Sequence, residues 1–296
     1  MSRLIFAFMQ THTGDERESL LLARSLRTFG GRLANHPLWM MMPQGLEPVS
    51  ESVLGALEDL EVRFSRFEVP EDALQFPFGS KVYASAAAET LVSNEADILV
   101  WMDSDTIFTG EPSEVVLGEN ISFGYCPVML KNISSLYDEP VNAFWDFIYK
   151  GCGTVEEDIF PMFTTIDKVR IRPQFNAGLL CVCPKVGLLR AWQDNFERLY
   201  QQPELAPFYQ EHVLYRIFVH QAVLSATLLT RLEKEDMQDL GQRLNCPVFL
   251  ETDVDVVRNA VTLRYDEFIF FEKPSWENKI ELKSQVKTWL QAQVGG

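Results

Sequence analysis

The sequence has no long apolar run. Leu4–Met9 stops after six residues at Gln10, too short for a signal-peptide core, and no later stretch approaches the ~20 residues of a membrane-spanning helix. Cysteine is sparse and odd in number: Cys126, Cys152, Cys181, Cys183 and Cys246 form no disulfide framework by count or spacing, so a reduced, cytoplasmic location is the expectation. Cys181 and Cys183, two apart on an apolar segment, read as small core residues rather than a zinc site. Positive charge is also short. Lys and Arg number 26 against 42 Asp and Glu, a formal charge of −16. Nucleic-acid phosphates and anionic bilayers repel such a surface, so neither nucleic acid nor stable membrane insertion is expected. Repeats, low-complexity tracts and Gly/Ser/Pro linkers are absent, and 296 residues at 47% hydrophobic content are enough to bury a sizeable core.

What is present is an alternation of strand and helix patterns through the first hundred residues, which argues for an α/β sheet. Strands are expected at 4–9, 38–42, 62–69 and 98–102, and helices at 18–28, 50–60 and 80–94. Gly30-Gly31 ends the first helix and Pro43 closes the second strand. The second half is less regular. It predicts strands at 120–128, 175–183, 248–250 and 261–265, with helices at 141–149, 188–200, 210–232 and 280–294.

The most informative residues are Asp103-Ser104-Asp105, directly after the continuous apolar run Ile98–Met102. Such a run suits a central strand covered on both faces, and ligands of open α/β sheets bind at the carboxyl ends of strands. Two carboxylates in a dry crevice need a counter-charge, which Mg²⁺ or Mn²⁺ would supply while keeping positions open for a diphosphate. A D-x-D tripeptide also arises by chance, and Asp253-Val254-Asp255 is this chain's own second example.

Ile98–Phe108, I-L-V-W-M-D-S-D-T-I-F, resembles the D-x-D segment of glycosyltransferases with the GT-A fold, closest to the retaining galactosyltransferase- and glycogenin-like (family 8-like) enzymes. Four further segments agree in order: Phe78-Gly79-Ser80-Lys81, Phe175-Asn176-Ala177-Gly178-Leu179-Leu180, His220-Gln221 and Glu272-Lys273-Pro274-Ser275-Trp276. The likeness spans about residues 4–276. It departs from the family at two points. A family carboxylate is replaced by His220, and the late metal-binding His is absent from Leu263-Arg264-Tyr265-Asp266-Glu267-Phe268, where Asp266 or Glu267 could act as an oxygen ligand instead.

The resemblance implies a three-layer α/β fold of GT-A type, with a mostly parallel central sheet and a less regular acceptor side. It implies one domain over 1–296, with a nucleotide-binding half at 1–110 and an acceptor-side half and closing segment at 111–296. The implied activity is metal-dependent transfer of a sugar, with retention, from a nucleotide-diphosphate donor (a UDP-sugar first) to an unknown glycan, lipid or protein acceptor. Asp103 and Asp105 would hold Mn²⁺ or Mg²⁺. Thr11, His12, Lys81, Asp103, Ser104, Gly178 and Lys273 would bind the donor, and Asp105, Asn176 and Gln221 would serve catalysis. Each also has a plain reading as turn, surface or core. A nucleotidyltransferase is disfavoured, because the loop from Gln10 to Arg17 has one Gly and two acids where a triphosphate cradle needs a Gly-rich, basic loop. The remaining alternative is a nucleotide-sugar-binding or regulatory protein that has lost turnover.

Overall fold

The computed structural model describes residues 2–10, 15–45, 49–273 and 276–295. Its strands are β1 (Leu4–Met9), β2 (Leu38–Pro43), β3 (Val62–Phe67), β4 (Ile98–Asp103), β5 (Thr106–Phe108), β6 (Phe123–Pro127), β7 (Met162–Phe163), β8 (Arg170–Ile171), β9 (Phe175–Val182), β10 (Met237–Asp239), β11 (Cys246–Pro247) and β12 (Thr262–Arg264). Its α-helices are α1 (Glu16–Phe29), α2 (Glu51–Asp59), α3 (Gly79–Val92), α4 (Ala143–Cys152), α5 (Leu188–Leu199), α6 (Ala206–Glu211), α7 (Val213–Arg231), α8 (Val254–Asn259), α9 (Ile269–Glu272), α10 (Trp276–Lys279) and α11 (Ser284–Val294).

The central sheet runs β10-β6-β9-β4-β1-β2-β3. Strands β3, β2, β1 and β4 are parallel, and β9 is antiparallel to both β4 and β6. The two-residue period of a strand divides the core. Leu4, Phe6 and Phe8 with Ile98, Val100 and Met102 pack on one face against α1 and α2, while Ile5, Ala7, Leu99 and Trp101 pack on the other against α3, α5 and α7. That is the three-layer, mostly parallel arrangement expected. Its strands come from both halves of the chain.

Several elements differ from their expected bounds for local reasons. Asn120 takes a left-handed conformation (φ 67), which delays the next strand to Phe123. The helix expected over 210–232 breaks at His212, whose extended backbone caps α7 and whose Nδ1 accepts from the Leu214 N–H. Residues 248–250 are a turn, not a strand: Leu250 and Glu251 both donate to the Pro247 carbonyl. Asp253 caps α8 by accepting from the Asp255 and Val256 N–H groups, so the second D-x-D is a helix start. Cys183 is half-buried rather than core, whereas Cys181 is fully buried. Contrary to the expectation that no stretch approaches the length of a membrane-spanning helix, α7 is long and apolar enough by length and composition to cross a membrane, but Val219 through Leu229 are buried inside this fold.

Candidate active site

Three chain segments meet at the carboxyl end of β4. The first is β4 itself, which ends on Asp103 and turns through Ser104 and Asp105 into β5. The second is β9. Its pairing with β6 shifts from Tyr125↔Leu180 to Pro127↔Phe175, so residues 176–179 bulge beside the end of β4. The third is β12, antiparallel to β5 with Arg264 opposite Thr106, which brings a cation from late in the chain next to Asp105.

The carboxylates are met by protein cations. Lys81, in the first turn of α3, lies 2.6 Å from Asp103 Oδ1 and donates to Oδ2 at 2.8 Å. Arg264 donates through Nε and Nη2 to Asp105 at 2.9–3.1 Å, and its Nη2 is 3.0 Å from Asp103 Oδ2. The Asp266 N–H adds a bond to Asp105 Oδ2 at 3.1 Å. Burial pushes Asp103 up, but Lys81 and Arg264 outweigh it and hold its carboxyl below the usual range. Burial raises Asp105, Arg264 opposes this, and the Asp103 charge adds to the rise. Burial lowers Lys81 against the pull of Asp103; the two aspartates more than offset burial at Arg264 and hold its proton more tightly than usual.

Gly178 makes the arrangement sterically possible. A Cβ there would lie 2.9 Å from both Asp103 Oδ2 and Asn176 Oδ1, and closer still to Arg264 Nη1. Asn176 Oδ1 accepts from the Gly178 N–H at 2.8 Å, and Gln221 Oε1 accepts from the Ala177 N–H at 3.2 Å. Both expected catalytic amides thus brace the bulge. His220 is buried and neutral, pushed to about 3 by burial and by Lys81; its Nδ1–H donates to the Ile217 carbonyl at 2.9 Å.

Two cavities share Phe78, Lys81, Asp103, Arg264 and Asp266. One, of about 490 Å³, lies toward the end of β1 and the start of α1 and is lined by Asp15, Glu18, Ser104, Asp105 and Glu267 among others. The other, of about 320 Å³, is more apolar and includes Asn176, Gly178, Phe218, His220, Gln221 and Phe249.

Of the expected site residues, Lys81, Asp103, Ser104, Asp105, Asn176, Gly178 and Gln221 therefore come together. Lys273 is exposed and lines neither cavity, and Thr11 and His12 lie outside the described residues. Two residues escaped the sequence reading. Arg264 stands in the very segment that lacks the family's His, and a cation there was the available signal. Glu18, on α1, accepts from the Ser104 hydroxyl at 2.9 Å, and burial raises its pKa to about 7; no sequence feature marked it.

The expected metal does not fit this arrangement as it stands. All four oxygens of the acidic pair are engaged by Lys81, Arg264 or the Asp266 N–H. Asp266 approaches through its backbone, and the described residues contain no cluster of three His, Cys, Asp or Glu side chains able to hold an ion.

A mixed sheet with a paired acidic turn at the end of its central strand, flanked by two cavities, is the arrangement of the GT-A fold, and the family match makes the chain a glycosyltransferase. The chain belongs to the Rhodobacterales glycosyltransferase domain family, whose model matches residues 6–227. Among solved structures it is similar to the galactosyltransferase LgtC in complex with donor and acceptor sugar analogues, at 13% identity and a TM-score of 0.52, covering 98% of this chain and 95% of that one. A Gln-to-Glu active-site mutant of LgtC gives 12% identity and a TM-score of 0.53 over the same shares. The bifunctional glycosyltransferase WbbM gives 12% identity and a TM-score of 0.50, with 100% of this chain and 52% of that one covered. No curated protein sequence matches the chain.

Proposed function

We propose that the protein transfers a sugar from a nucleotide-diphosphate donor, a UDP-sugar first, to a hydroxyl acceptor with retention. The observation that carries this reading is the Lys81–Asp103–Arg264 group standing as the common wall of two cavities. The polar cavity, at the strand ends where nucleotides bind in open α/β sheets, receives the nucleotide. The more apolar one receives the acceptor. The sugar lies between them, and Arg264 and Lys81 offset the charge that develops on the departing diphosphate.

Among the described residues lining the acceptor cavity the carboxylates are Asp103, held by two cations, and Asp266, which is exposed at the rim and turns its backbone N–H to Asp105. Gln221 and Asn176 supply amides, and the neutral His220 is a weak base. The proton of the acceptor hydroxyl therefore passes to the departing phosphate oxygen. The C1–phosphate oxygen bond breaks and the C1–acceptor bond forms on the same face, guided by positioning.

Nucleotide release should be measured over UDP-, GDP- and ADP-sugars without acceptor. One donor is expected to turn over slowly, and Lys81→Ala, which removes a cation from the departing diphosphate, should slow it by about a hundredfold or more. Release that is absent with every donor, or equal in the variant, would overturn the reading. The anomeric configuration of a transferred product, read by NMR coupling, decides retention.

A further inference from the structure

We infer that Arg264 takes the place of a divalent cation: its guanidinium holds the Asp103/Asp105 pair together and receives the donor's diphosphate, so donor binding needs no metal. The inference rests on the donor reading above. A divalent ion on two carboxylates would neutralise them and keep open positions for phosphate oxygens. Lys81 and Arg264 reach the same charge balance with fixed protein groups. Arg264 spends Nε and Nη2 on the aspartates, while its Nη1 makes no hydrogen bond among the described residues and belongs to a side chain lining both cavities. The two N–H bonds of Nη1 remain to donate to phosphate oxygens, and a guanidinium keeps its proton throughout.

The fold is built around that side chain. Pairing of β12 with β5 fixes Arg264 beside Asp105, and Gly178 leaves the space that Nη1 fills. An ion entering here would have to evict a guanidinium bonded to both of its ligands. The other acids of the polar cavity do not reverse the balance. Asp15 is paired with Arg17, Glu18 is hydrogen-bonded by Ser104, and Asp266 and Glu267 sit at the exposed rim.

The test measures Mn²⁺ uptake by electron paramagnetic resonance, and UDP and inorganic pyrophosphate binding by calorimetry, on metal-stripped protein. Wild type is expected to take up no Mn²⁺ at this site and to bind UDP and pyrophosphate equally, within about twofold, in EDTA or in Mn²⁺. Arg264→Gln should weaken both ligands in EDTA by about tenfold or more. Uptake of one Mn²⁺ by wild type that Asp105→Asn abolishes would overturn the inference, as would UDP binding that EDTA removes or that Arg264→Gln leaves unchanged. The wild-type measurements decide the matter even if Arg264→Gln does not fold. Failure of the donor reading looks different: pyrophosphate binds through Arg264 while no nucleoside diphosphate does.

Discussion

Glu18 carries its carboxyl where a charge is disfavoured. Burial raises its folded pKa from 4.5 to about 7, partly offset by the hydrogen bond from Ser104. A raised carboxyl pKa means the folded state holds the proton more tightly than the unfolded chain. The resulting stability is full below about 4.5 and is lost as pH climbs to about 7, a change of about 3 kcal/mol. Glu18→Gln keeps an acceptor for Ser104 and removes the titration. Its melting temperature should exceed that of wild type at pH 8 and match it at pH 4. Parallel curves across that window would show that Glu18 does not titrate there. Gly178 gives a second prediction at the same scale. Gly178→Ala places a methyl against Arg264, Asp103 and Asn176, so the guanidinium must leave its seat. The expected result is about 1–3 kcal/mol of lost stability together with weaker UDP binding, both measurable on one preparation. Unchanged UDP affinity would separate the Arg264 position from donor binding.

Helix α5 begins without a cap of its own, because Gly187 stands at its N-cap position with no side chain to offer. The acceptor comes from another element: Glu89 of α3, fully buried, takes the Leu189 and Arg190 N–H groups at 3.2 and 2.9 Å. Glu89→Ala should therefore cost about 2 kcal/mol in urea unfolding with an unchanged slope, since two buried donors lose their partner. A loss near zero would mean that water replaces the carboxylate. This dependence of one element on another also marks how far the sequence could be read. Asp103 and Asp105 were legible because they continue a local pattern, an apolar strand with acids at its end. Asn176 was legible through the likeness of Phe175–Leu180 to a family segment, and Gln221 through that of His220-Gln221. Arg264 was not, because the pairing of β12 with β5 is what sets it beside Asp105, 159 residues away in the chain. The two D-x-D tripeptides differ for the same reason. One follows a buried strand into a cavity, and the other caps α8 on the surface.

For the whole molecule, the parallel half of the sheet followed from alternation and apolar runs, whereas the antiparallel insertion of β9 between β4 and β6 has no local signature. Composition, by contrast, bears directly on how a ligand arrives. A protein of formal charge −16 repels a diphosphate before it reaches Lys81 and Arg264, and that repulsion extends about 30 Å at 10 mM salt but only about 8 Å at 150 mM. The attractive cations are buried with their aspartates and have little field left for distant solvent. Added salt should therefore speed association of UDP, severalfold between about 10 and 150 mM, while the short contacts that hold it change less. Stopped-flow binding separates the two rates. An association rate that falls with salt would show that a local positive field, and not the acidic surface, governs the approach; Arg264 and Lys81 would then be acting on the donor well before contact.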